Sequence, residues 1–209
     1  MSSGFRSYAT ALLSLAYVAF LAVYQPLSAQ EQPPSEIDYL LLASNKTSTM
    51  QDEMQEAAEA GYAFADVMGG ETSFGGSEVV VMMQRLANST PRFAYRLLAT
   101  TRTSTMEKEL QEAADDGFSY RGQTIFSTTF GGDEAVVILE RDKDLVNPTR
   151  FEYRVLATKR TSTMQEELRE AGAVGFQYVG LTVASTAFGG DEIVVILRRP
   201  VTDSESDSE

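Results

Sequence analysis

Three times along this 209-residue chain a Phe-Gly-Gly triplet leads into carboxylates. Glu78 follows Phe74, Asp133 and Glu134 follow Phe130, and Asp191 and Glu192 follow Phe188. Three times a basic residue precedes Thr-Ser-Thr-Met: Lys46 before Thr47, Arg102 before Thr103, and Arg160 before Thr161. Carboxylates carried on glycine turns suit calcium, which takes about six to eight oxygen ligands. If the turns converged, the same carboxylates would also suit acid/base hydrolysis. A helix start offers free backbone N–H groups, and with hydroxyls and a cation beside it becomes an anion site. The plainer reading is a Gly-Gly hairpin with solvated acids in the first case, and a capped helix flanked by surface charge in the second. The turns also lack the alternating Asp/Asn spacing of a dedicated calcium loop.

The rest of the composition narrows the chemistry. The chain has no histidine and no cysteine, so the usual general base at neutral pH and the thiol nucleophile are missing. Repeats present like residues three times, whereas an active site gathers unlike residues in one cleft. The chain is therefore expected to be non-enzymatic and to need no cofactor. A net charge of −13 argues against nucleic acid and anionic membrane surfaces as partners, because neutralising phosphate drives both associations. Disulfides are excluded, so the fold must rest on a shared apolar core.

The elements that position these residues repeat with a period of somewhat over fifty residues. Unit one spans 37–86, unit two 93–142 and unit three 151–200. Each opens on a strand: Phe93, Tyr95, Leu97 and Ala99 share one face, as do Phe151, Tyr153, Val155 and Ala157, the two-residue period of β-structure. A helix follows. Ser48, Ser104 and Ser162 are its expected N-caps, since Gln51, Glu107 and Gln165 stand three residues on, the spacing of a capping box. Gly61, Gly117 and Gly175 are its expected left-handed C′ residues. A hairpin completes the unit, with a glycine pair at its turn. The returning strand, Val136–Leu139 or Val194–Leu197, is apolar at every position and so belongs at the centre of the sheet.

The expected fold class is α+β: three tandem βαββ repeats, each a three-stranded sheet of order 1-3-2 with one helix on one face. Each helix covers one face of its sheet. The other face, expected to carry Leu98 in unit two and Leu156 in unit three, must then meet another unit. The sheets are expected to pack together with the helices outside, in pseudo-threefold fashion or, alternatively, as a linear array.

Two resemblances attach to these motifs. Gly131–Glu134 and Gly189–Glu192 resemble the Gly-Gly-Asp-Glu signature of diguanylate cyclases, but Ala135 and Ile193 stand where that signature has phenylalanine, and unit one reads Gly-Gly-Ser-Glu. The unit is also too short for a nucleotide cyclase domain, which leaves the hairpin turn. Tyr95–Leu98, Glu109–Ala113 and Gly117-Phe118 resemble a small bacterial family known only as a domain of unknown function, and Tyr153–Phe176 resembles it too, with Glu170-Ala171-Gly172 near its helix end. That resemblance implies a bacterial origin and the βαββ unit. It brings no activity, ligand or functional residue.

The ends read differently from the repeats. Arg6, the apolar run Ala11–Val23 and Leu27–Ala29 make residues 1–29 an expected secretory signal. Residues 30–36, with Pro33-Pro34, are an expected linker. Residues 201–209 are an expected disordered tail, with acids alternating with serine from Asp203. The sequence therefore predicts an exported, periplasmic or extracellular repeat protein acting as a binding or structural module. Its partner is unspecified; a protein or peptide at a sheet edge is the form expected, without membrane insertion once the signal is removed. The alternative is a carboxylate-dependent hydrolase or divalent-cation-binding protein using Glu78, Asp133, Glu134, Asp191 and Glu192.

Overall fold

A β-strand–helix–hairpin unit recurs three times in the structure, a computed structural model that describes residues 36–72, 76–127, 133–185 and 191–201. The expected signal, the linker up to residue 35, most of the acidic tail and the glycine apices at Phe74-Gly75, Phe130–Gly132 and Phe188–Gly190 lie outside the described residues. Unit one contains β1 (Ile37–Ser44), α1 (Thr47–Glu59), β2 (Ala63–Thr72) and β3 (Gly76–Leu86). Unit two contains β4 (Phe93–Thr100), α2 (Thr103–Asp115), β5 (Ser119–Ser127) and β6 (Asp133–Asp142). Unit three contains β7 (Phe151–Thr158), α3 (Thr161–Ala173), β8 (Gln177–Ser185) and β9 (Asp191–Pro200). Each sheet is antiparallel with the apolar third strand in the middle, giving the order 1-3-2. The register is the same in all three, with Tyr39 opposite Gln84, Tyr95 opposite Glu140 and Tyr153 opposite Arg198.

The helices stop as their sequence dictates but start elsewhere. Gly61, Gly117 and Gly175 take φ of 88°, 82° and 89°, a region costly for any residue with a Cβ. Around each, the following aromatic N–H and the glycine N–H return to the last helical turn. Tyr62 donates to the Ala57 carbonyl and Gly61 to Ala58, with equivalents at Phe118 and Phe176; this is a Schellman closure. An arginine from the central strand then holds the end. Arg85, Arg141 and Arg199 donate to the carbonyls of Ala60, Asp116 and Val174 and lie over the rings of Tyr62, Phe118 and Phe176. At the other terminus, the expected serine caps are corrected. The N-caps are Lys46, Arg102 and Arg160, in extended backbone and without a side-chain cap bond. Ser44, Thr100 and Thr158, two residues before, accept the N–H of the cap residue at 3.2 Å. Gln51 and Glu107 do not reach back, because each is engaged in the neighbouring unit.

The two faces of each sheet are also assigned in reverse of the sequence reading. Leu98 and Leu156 pack on their own helices, with Met106 and Leu110 in unit two and Met164 in unit three. The aromatic face meets the preceding unit: Tyr95, Val136 and Ile138 join the core formed by Met50 and Met54 of α1 and Val79, Val81 and Met83 of β3. Tyr153, Val194 and Ile196 join the core of unit two in the same way. The sheets therefore pack on one another. Each helix keeps its charged side in solvent and lays its apolar side on its own sheet, and α1 and α2 also pack on the first strand of the next unit. Substantial packing links unit one to two and two to three. Among the described residues none links three to one, so the array is linear and not pseudo-threefold.

The second strands approach closely. Gly69 of β2 donates its N–H to Thr124 Oγ1 of β5 at 2.5 Å. Gly122 lies against Phe64 and Val67, and Gly180 against Tyr120 and Gln123. The amide of Gln123 is enclosed there without a hydrogen-bond partner, a costly arrangement. Val67 and Leu181 occupy the matching places in the other two units. Gln123→Leu is therefore expected to stabilise the protein by about 1–2 kcal/mol, read as a raised denaturation midpoint with an unchanged slope.

Candidate functional site

Each basic candidate belongs to its own helix start. Lys46, Arg102 and Arg160 are exposed N-cap residues, and Thr47, Thr103 and Thr161 are the first helical residues behind them. They are distributed one set per unit.

The acidic candidates lie at the apex ends of the hairpins. Glu78 is opposite Gly70, Glu134 opposite Phe126 and Glu192 opposite Ala184, with Asp133 and Asp191 opening β6 and β9. Among the described residues, no three carboxylates come close enough together to hold a metal ion. Each hairpin thus carries its own acids.

The polar residues that do converge are at the seams between units. The outer edge of β4 would leave its N–H groups unpaired, as any edge strand does. Helix α1 covers it. Gln51 and Gln55, one turn apart and so on one face, accept the N–H groups of Leu97 at 2.9 Å and Tyr95 at 3.3 Å. The next seam repeats this: Glu107 accepts from Val155 at 2.8 Å and Gln111 from Tyr153 at 3.1 Å. Gln111 also donates to the Phe151 carbonyl at 3.3 Å, and Arg150 pairs with Asp115 at 3.2 Å. A tyrosine completes each seam. The Phe64 N–H donates to Tyr95 Oη at 2.7 Å, and the Tyr120 N–H to Tyr153 Oη at 2.8 Å. Sequence reasoning missed this role. Its signal was a polar pair four residues apart beside the apolar stripe of α1 and again of α2.

One seam holds a buried acid. Tyr95 Oη donates to Glu140 Oε2 at 2.7 Å, while Arg121 Nε lies 3.4 Å from Glu140 Oε1. Burial raises the Glu140 carboxyl above its ordinary range. The Tyr95 hydrogen bond, Arg121 and Arg92 oppose that rise, and Asp142 adds to it. Burial, then the charge of Glu140, also raises the Tyr95 phenol, which stays protonated. A carboxyl whose pKa is higher folded than unfolded contributes most below its unfolded value, and that contribution is lost as pH rises through the folded value. Asp38 and Asp142 are lowered, first by the hydrogen bonds from Tyr62 and Arg92 respectively, and run the opposite way. They cancel when one variant is compared with the parent. The stability difference between Glu140→Gln and the parent should therefore move in the variant's favour from about pH 4 to about pH 7, as read by urea unfolding at both.

A groove of about 570 Å³ runs between α2 and β7, lined by Glu107, Gln111, Asp115, Glu152 and Tyr153 among others. Its walls are the side chains that fasten the second seam. The ends of the stack are open instead. Tyr39 of β1 is 60% exposed, whereas its equivalents Tyr95 and Tyr153 are 5% and 4% exposed. Tyr178, Leu181 and Val183 of β8 are exposed at the opposite end. No helix among the described residues is long and apolar enough to cross a membrane. No protein-family model, curated protein or solved structure matches the chain.

Proposed function

We propose that the chain is an exported, non-enzymatic module that works by binding through its surfaces or by building structure. One observation carries this reading. The polar side chains that the repeat brings together, Gln51, Gln55, Glu107 and Gln111, are engaged in joining units. The acidic candidates stay at separate hairpins. Export is supported by Arg6 and the apolar run behind it.

The test is an assay of the purified protein against chromogenic ester, phosphoester, glycoside and peptide substrates, with and without calcium, manganese or zinc. Thermal-shift measurements with the same metals and with phosphate accompany it. No turnover and no shift in melting temperature are expected. Turnover abolished by Glu134→Gln with Glu192→Gln would establish the carboxylate-dependent hydrolase instead. A calcium shift lost in the same variant would establish a cation site.

A further inference from the structure

We propose that the two open ends of the stack are complementary and that copies of this chain associate head to tail. The seam between consecutive units occurs twice within the molecule, with the same helix-to-strand and tyrosine hydrogen bonds in the same register. The face of unit one equivalent to those buried at the two seams carries Tyr39, Leu41, Met68, Val80 and Met82. Of these, Tyr39, Leu41 and Met68 are at least 60% exposed. The far end of unit three carries Tyr178, Leu181 and Val183, at the places of Tyr120, Gln123 and Ile125 that face unit three from unit two. A third seam of the same design therefore lies between unit three of one copy and unit one of the next. In it Gln165 of α3, equivalent to Gln51 and Glu107, meets the N–H of Leu41. The N–H of Tyr178 meets the hydroxyl of Tyr39, as Tyr120 meets Tyr153 inside the chain.

The departures at this seam are paired. Arg169 stands where Gln55 and Gln111 stand in α1 and α2, and Glu36 stands where Arg150 does. Ala173 stands where Asp115 does, so the internal Asp115–Arg150 ion pair has no counterpart at this seam; in its place Arg169, one turn earlier on α3, meets Glu36, which immediately precedes β1. Asp66 replaces the close-approach glycines Gly122 and Gly180. It adds a side chain where neither internal seam has one, which makes the third seam looser and the association reversible. A head-to-tail contact of this kind is heterologous and does not close on itself as a twofold dimer does.

This proposal goes beyond the non-enzymatic reading and is tested separately from it. Sedimentation velocity of the purified protein from about 1 μM to about 1 mM, a range that spans weak association, is expected to show a mass that climbs past the dimer. Asp66→Gly should tighten the association by about tenfold. Leu41→Glu blocks one end and Leu181→Glu the other, so each alone should be monomeric and their mixture should form a dimer that grows no further. A monomer at every concentration, for the parent and for Asp66→Gly alike, would overturn the proposal. So would a dimer formed by Leu181→Glu alone, which signals a symmetric contact through β1. Turnover in an assembling protein would sink the non-enzymatic reading and leave the assembly standing.

Discussion

Gly69→Ala is expected to destabilise the protein by about 3 kcal/mol, although alanine normally gains on glycine within a strand. The sign reverses because a Cβ at Gly69 would sit 1.8 Å from the carbonyl oxygen of Ile125. That oxygen is backbone of β5 in the neighbouring sheet, so no rotamer change relieves the overlap. β2 must move off β5, and the Gly69 N–H loses Thr124 Oγ1. Overpacking of well-packed sites costs about 1–3 kcal/mol and more where backbone must shift. Gly70→Ala is the internal control, since a Cβ there meets nothing within 4 Å, and it should be neutral or slightly stabilising. Urea unfolding of the pair decides the point: equal stability of both variants would mean that β2 and β5 are not held this close.

The second large effect is Ile138→Ala, at about 3 kcal/mol and a fall in melting temperature of about 10 °C. Ile138 is fully buried at the centre of β6 and belongs to the core shared with Met50 and Met54 of unit one. Truncation leaves a cavity between two units, lined by side chains of both. The loss should therefore appear as destabilisation of units one and two together, read as coincident loss of amide protection in β3 and β6. Destabilisation confined to unit two would mean that unit one folds independently of the seam.

The fold was legible where the cause is local. Gly61, Gly117 and Gly175 announce the helix stops because only glycine sits easily at positive φ, and the unbroken apolar run in β6 and β9 announces the central strand. The helix starts were misread for a long-range reason. Gln51 and Glu107 have the spacing of a capping box, but their partners are the N–H groups of Leu97 and Val155 in the following unit, more than forty residues away. The faces were misassigned because both sides of β4 carry apolar residues, with Leu98 opposite the side of Phe93, Tyr95 and Leu97, so the two-residue period does not say which side its own helix covers. The candidate sites divide the same way. Their residue types were plain in the sequence. Whether Glu78, Glu134 and Glu192 converge depends on how units stack, which no local pattern encodes.

The central claim is that the chain is an open linear stack whose helices seat the first strand of the unit that follows. Amide hydrogen exchange tests it most directly, with the protein dilute enough to be monomeric. Leu97 and Val155, whose N–H groups are held by Gln51 and Glu107, should exchange slowly. Leu41, in the same register on β1 but with no helix of a preceding unit against it among the described residues, should exchange quickly. A Leu41 amide as protected as Leu97 would mean that α3 closes on β1 to form a ring, and would contradict the account.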